Sequence, residues 1–366
     1  MTFLATSAFS HGSPGRTAVL LINLGTPREP TATAVHRYLY QFLMDPRVVE
    51  IPRLVWFLLL RMVILPFRSG ASAKRYASVW TPAGSPLLDF SERQHRALLA
   101  EVQARGLDVD VVLAMRYGDP SIPAAMERLR QGGVTRLLVV PLYPQYSATT
   151  TASAIDGVVQ VLMQTRNVPE LRWIRNFHDD AGYIEALRRS VRAYWDANGR
   201  PDKLLMSFHG LPRRNLDLGD PYHCECLKTG RLLAEALELR PDEYALSFQS
   251  RFGRAKWLEP YTVDTLRRLA REGVGRVDVV CPGFTADCLE TLEEIAQEAR
   301  ADFLTSGGRD FHLIPCLNDS PRFISALADL VERHTQGWPV RLAERPALQE
   351  AARAGQQRAL ALGAAR

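Results

Sequence analysis

The chain reads as an α/β protein made of two similar Rossmann-like halves, each a four-stranded parallel sheet flanked by helices. Three observations predict this. Short apolar strands alternate with helical stretches throughout, the pattern of parallel sheets joined by crossover helices. The strands fall into two sets that share an order and a way of ending. A length of 366 residues is enough for two domains, each with its own core.

The first set is AVLLINLG (18–25), VDVVLAMRY (109–117), RLLVVPLYP (136–144) and LRWIRNF (171–177). The second is KLLMSFHG (203–210), YALSFQS (244–250), RVDVVCPG (276–283) and FHLIPCLN (311–318). LLINLGTP parallels LLMSFHGLP, and VLAMRYGDP parallels ALSFQSRFG. NFHDDAGYIEAL returns as CLNDSPRFISAL about 140 residues later, the length of one α/β domain. The expected division is therefore an N-terminal domain over 17–180 with an apolar lip at 47–88, a C-terminal domain over 181–336, and a tail over 337–366 that is either helical or disordered. One long sheet is the alternative that pattern alone leaves open. Asp287 is the expected N-cap of CLETLEEIAQEAR, and Asp319 or Ser320 that of PRFISALADLVERH.

Composition narrows the function classes. Hydrophobic content of 46% and charged content of 23% are those of a soluble globular protein. The net charge of +5 is modest and no basic stripe concentrates it, so a nucleic-acid partner is not expected. Cys224, Cys226, Cys281, Cys288 and Cys316 are too few and too unevenly spread for a disulfide framework, which suits a reducing cytoplasm. The opening MTFLATSAFSHGSPGR lacks a basic start followed by a long apolar run, so a short disordered lead without a signal peptide is expected. LVWFLLLRMVILPF, residues 54–67, is apolar nearly all round, yet it contains Arg61, closes on Pro66 and is shorter than the roughly 20 residues that span a bilayer. It is either core or the lip of a pocket for a large flat apolar ligand, resting on a membrane.

Ligands of parallel α/β sheets bind beyond the carboxyl ends of the strands. His209 ends a strand there and is followed at once by the turn residues Gly210 and Pro212. A single histidine is more often structural, but this placement points it at a cleft. Glu290 and Glu294 stand four apart at the start of a helix that follows the strand RVDVV, so both carboxylates share a face at the same sheet edge. Exposed glutamates at that spacing are common; a histidine with carboxylates at one sheet edge suits proton transfer or a loosely held divalent metal. Cys224 and Cys226 are spaced too closely for a zinc clip and have no second pair. The turns NLGTP and RYGDP lack the order of a phosphate-binding glycine loop.

Over residues 17–335 the chain resembles the ferrochelatases, which insert ferrous iron into a porphyrin at the end of haem synthesis. The likeness is carried by LLMSFHGLPRRNLDLGDPY, NLGTP, YASVWTPAGSPL, MRYGDPSI, PLYPQYSATTTAS, SFQSRFGRAKWLEPYT and FTADCLETLEEI. The resemblance implies two α/β domains with a porphyrin cleft between them. It implies His209 as the active-site histidine, Glu290 as its partner and Glu294 as the next acid, with His209 and Glu290 meeting the metal. It places Leu24, Arg116, Tyr117, Trp257 and Phe284 around the macrocycle, and makes 54–67 the membrane-contacting lip that admits substrate. Cys288 stands where animal-type members have a histidine, and Ala148 where they have the first cysteine of a [2Fe–2S] cluster; no cysteine follows Cys316. Four thiolates are the usual requirement for such a cluster, so none is expected and Fe²⁺ enters as substrate only.

Chelation replaces two pyrrole protons by iron, and a planar ring hides its lone pairs, so the cleft is expected to hold the ring buckled. A histidine side chain titrates near pH ~6.5 and is also a fair ligand for Fe²⁺, so the sequence leaves His209 as proton acceptor or iron donor. The expected protein is a monomeric cytoplasmic enzyme acting on protoporphyrin IX, peripheral at the inner face of a membrane. The alternatives are a chelatase for another tetrapyrrole or metal, such as coproporphyrin III or cobalt, and a non-catalytic porphyrin carrier.

Overall fold

The computed structural model describes residues 3, 11–253 and 255–364; most of the expected N-terminal lead falls outside them. Eight strands form: β1 (Arg16–Gly25), β2 (Val109–Tyr117), β3 (Val134–Pro141), β4 (Glu170–Trp173), β5 (Lys203–His209), β6 (Tyr244–Gln249), β7 (Arg276–Val280) and β8 (Asp310–Leu313). They make two four-stranded sheets of identical order, β2-β1-β3-β4 and β6-β5-β7-β8, and every pairing is parallel.

The central strands are buried on both faces, as parallel sheets covered by helices must be. Alternation sorts their side chains. Val19 and Leu21 face one core, while Ala18, Leu20 and Ile22 face another. Leu204, Met206 and Phe208 join the first of these cores from the other sheet, whereas Leu205 faces a third, with Val277, Val279 and Ile295.

The likeness of the halves extends to hydrogen bonds. Asn23 pairs with Met115 and Phe208 with Phe248, and the amides of Met115 and Phe248 donate to Pro120 and Pro260 at 2.6 and 2.8 Å. This register makes Leu24 the counterpart of His209. Asp180 caps helix Ala181–Asn198 through the amides of Gly182 and Tyr183, and Ser320 takes the matching place before Pro321–His334 by its backbone alone.

The two halves exchange these helices. Ala181–Asn198 follows the first sheet but packs on the second, where Trp195 donates to Asp278 at 3.1 Å and Tyr183 donates to the Pro282 carbonyl. Pro321–His334 returns the other way: Arg105 donates to Asp329 and Glu332 at 2.6 and 3.0 Å, and Arg172 of β4 donates to the His334 carbonyl. One large core consequently contains residues of both halves.

Three local expectations are corrected, and the tail takes one of its two expected forms. The edge strands are shorter than 171–177 and 311–318, because β4 and β8 each have one neighbour and the chain then turns away, Phe177 donating to Pro144. Asp287 is no N-cap: buried, it accepts from the Thr291 hydroxyl at 2.9 Å, the Asn318 amide at 2.8 Å and the Cys316 backbone at 3.2 Å. The apolar segment does not end at Pro66. It belongs to one helix, Arg53–Val79, of 27 residues, long and apolar enough to cross a membrane by length and composition. A π-helical turn at Leu60–Ile64 precedes Pro66, and the wider turn accommodates a ring without an N–H. The tail is helical over Arg345–Ala361 and lies on the surface.

Candidate active site

Residues 205, 207 and 209 share one face of β5, so the imidazole of His209 emerges on the side covered by helix Glu290–Ala299, whose Ile295 packs against Leu205. His209 Nδ1 lies 2.6 Å from the Gly210 carbonyl. A carbonyl only accepts, so Nδ1 is the donor of this bond, and in the tautomer it selects the lone pair is at Nε2. The Tyr222 hydroxyl donates to the His209 carbonyl at 2.9 Å, tying the GDPY segment to the histidine. A Cβ on Gly210 would meet the Gln249 carbonyl at 2.6 Å, so glycine is required where the strand ends. Phe284 lies beside the imidazole, ring centres 6.5 Å apart.

The acid-bearing element is a π-helix over Glu290–Ala299 rather than the expected α-helix. Glu294 is held by Ser250, and His209 is among the charges that bear on it. Burial pushes its pKa up, against hydrogen bonds from the Ser250 amide at 2.6 Å and hydroxyl at 2.5 Å and the pull of His209, with Glu290 pushing up as well. Glu290 interacts with the Cys288 thiol and with Tyr38 and Tyr76, whose pKa values are raised by burial first and by its charge second or third. Glu290, Tyr38 and Tyr76 thus border one opening, with Glu294 four residues further along the same helix.

Leu24 borders the same narrow opening as Tyr38, Tyr76, Leu87, Leu289 and Glu290. Tyr117 packs with Tyr38 and Tyr76, and its hydroxyl donates to Asp45 at 2.8 Å. Arg116 reaches the same carboxylate at 2.6 Å and the Ser153 hydroxyl at 2.7 Å. Trp257 packs by Gly210, and its buried indole N–H has no acceptor among the described residues. Sequence reasoning missed Tyr38, Ser250, Asp45 and Ser153. Ser250 and Ser153 had a signal, the first as the last residue of an expected strand and the second as the last residue of PLYPQYSATTTAS.

Among the described residues no three His, Cys, Asp or Glu side chains converge on a ready metal cage. Cys224 and Cys226 lie two apart on helix Tyr222–Ala236, which turns them to different sides; Cys224 is exposed and Cys226 buried. The thiols of Cys226, Cys281, Cys288 and Cys316 are pushed up by burial.

The space beside Glu290 is closed by the long helix. Arg75 bridges to Glu293 and Glu298 of the π-helix at 3.5 and 2.7 Å, and Arg68 lies over the Phe252 ring at 4.3 Å. A cavity of about 710 Å³ lies between helices Ile122–Gln131 and Ser153–Leu162 and is lined on one side by Arg116 and Tyr117. It has no histidine, and its Arg130–Glu127 pair is satisfied at 2.6 Å, so size does not locate the chemistry here.

Comparison with known proteins gives a consistent result. The family model described as ferrochelatase matches residues 16–335. A ferrochelatase of Janthinobacterium sp. (strain Marseille) is 59% identical over 339 residues, 93% of this chain and 92% of that one. One from Polaromonas sp. (strain JS666 / ATCC BAA-500) is 55% identical over 370 residues and the full length of both. Among solved structures, SirB from Bacillus subtilis with Fe3+ covers 88% of this chain and 96% of its own, at 15% identity and a TM-score of 0.51, a likeness of fold.

Proposed function

This chain belongs to the ferrochelatase family, and from that premise we propose that it inserts Fe²⁺ into protoporphyrin IX, forming protohaem and releasing two protons. The observation that carries the reading is His209 at the end of β5, its Nε2 unprotonated in the neutral ring, beside a helix that brings Glu294 and Glu290 to the same sheet edge. Nε2 of His209 takes the pyrrole protons. Glu294, lifted by burial, receives them in turn, and Glu290 with Tyr38 and Tyr76 carries them on or meets the iron. Leu24, Arg116, Tyr117, Trp257 and Phe284 border the ring. The His209 imidazole with the Glu290 carboxylate would hold divalent iron loosely enough to pass it on, which a closed four-ligand cage would not.

Iron is substrate, and no step needs an iron–sulfur cluster. The exchanged helices complete the cleft within one chain, which supports a monomer. Five unpaired thiols suit the cytoplasm. The exposed face of Arg53–Val79 rests on the inner face of a membrane rather than crossing it, since Leu60, Leu65, Ala73 and Tyr76 are packed on the protein.

Steady-state insertion of Fe²⁺ by purified protein tests the reading, with protoporphyrin IX and coproporphyrin III compared and Co²⁺ as competing metal. Turnover with Fe²⁺ and protoporphyrin IX is expected. Porphyrin binding without turnover would make the protein a carrier.

A further inference from the structure

The Asp45 carboxylate is buried at the foot of the long apolar helix and collects every polar group around it. Oδ2 accepts from Arg116 Nη2 at 2.6 Å, the Ser153 hydroxyl at 2.6 Å and the Tyr117 hydroxyl at 2.8 Å, while Oδ1 accepts the Arg47 amide at 2.8 Å. Its neighbours join it to the long helix: the Trp56 indole donates to the Leu43 carbonyl at 2.7 Å, and Arg53 donates to the Met44 carbonyl. The Asp45 side chain is 2% exposed and that of Arg116 16%, so this pair is poorly screened. The next cation on this wall, Arg47, is likewise matched, by Asp156 at 2.7 Å. Arg68 on the long helix differs: it lies on the Phe252 ring and has no carboxylate partner among the described residues.

We propose that Asp45 is a specificity-determining residue, cancelling the Arg116 charge so that the porphyrin edge seated against Arg116 and Tyr117 is one without carboxylates. This rests on the reading above that those two residues border the ring. A porphyrin with its two propionates on one side can turn them away from this wall, whereas a porphyrin with a propionate on every pyrrole must bring one to it. Such a carboxylate would meet a guanidinium already spent and a buried negative charge behind it. The wall therefore favours dicarboxylate over tetracarboxylate porphyrins without any residue clashing with the larger molecule.

The test is kcat/KM for Fe²⁺ insertion into protoporphyrin IX and coproporphyrin III by the wild type, Asp45→Asn, Arg116→Gln and the double variant. Asp45→Asn frees the Arg116 charge and is expected to shift the ratio toward coproporphyrin on the order of tenfold. Arg116→Gln leaves Asp45 alone and shifts it the other way, which keeps the test alive should Asp45→Asn fail to fold. The double variant restores neutrality and returns the ratio near that of the wild type. Equal losses with both porphyrins in the single variants, or a double variant that does not return, would overturn the proposal. A wild type inactive on both porphyrins would instead sink the functional reading itself.

Discussion

Leu24 and His209 occupy one and the same place in the two halves, each directly before the glycine that ends the first strand of its sheet. At this matched position the two halves differ chemically, the N-terminal one presenting hydrocarbon and the C-terminal one an imidazole. Replacing each residue should separate binding from chemistry. His209→Ala is expected to cut the insertion rate by about 10²–10⁴ and leave porphyrin affinity, read by fluorescence titration, within a few-fold. Leu24→Ala should weaken porphyrin binding roughly tenfold, with a much smaller effect on kcat.

Glu294 makes stability depend on pH in a defined direction. Its folded-state pKa is raised, chiefly by burial, so the folded chain favours the protonated acid. That contribution is fully present below the unfolded carboxyl value of about 4.3 and is lost as pH rises through the raised value. Glu294→Gln removes the titration. The difference in Tm between wild type and Glu294→Gln should change across that window, with the wild type losing ground as pH rises. A difference that is flat with pH, measured by thermal melts in constant ionic strength, would contradict the assignment.

The repeat was legible because strand order, the glycine turns and the segment starting at Asn176 and again at Cys316 are all local patterns. The same patterns placed His209, Glu290 and Glu294 at a sheet edge. What sequence could not show was how Glu294 is held: its carboxylate accepts from Ser250, which directly follows β6, a pairing set by the sheet and not by spacing. Tyr38 and Asp45 were illegible for the same reason, as their partners lie on β2 and on the long helix. Half of the helix exchange was hidden as well: the expected boundary at 181 put Ala181–Asn198 with the second sheet, where Trp195 meets Asp278, but nothing in Pro321–His334 says that it will return to the first.

That exchange has a measurable cost when broken. Asp278 is fully buried, accepting Trp195 Nε1 at 3.1 Å and Arg276 Nε at 2.9 Å. Asp278→Ala leaves the buried Trp195 indole donor without its acceptor and takes from Arg276 its buried carboxylate, leaving it the Asn198 and Gly199 carbonyls, and is expected to destabilise the fold by about 3–5 kcal/mol. Asp278→Asn keeps an oxygen for one donor and should lose less. Urea denaturation with the slope held constant gives both values.

The long helix Arg53–Val79 shows solvent a face that a soluble surface helix would not: Phe67 is 82% exposed, Leu54 74% and Met62 71%. Its opposite side, with Trp56, Leu60 and Leu65, is fixed to the protein. A helix held along one side cannot leave the fold to cross a bilayer, but its free side can sink into the headgroup region, where each apolar side chain gains hydrophobic free energy and the flanking Arg53, Arg61 and Arg68 meet anionic lipid. Co-sedimentation with vesicles containing anionic phospholipid should detect this. Leu58→Glu with Met62→Glu should weaken binding by at least tenfold, since two apolar contacts become charges that resist burial. Insertion activity in detergent should stay near that of the wild type, because neither side chain is packed in the fold. Unchanged sedimentation of the double variant would show that this face does not meet the membrane.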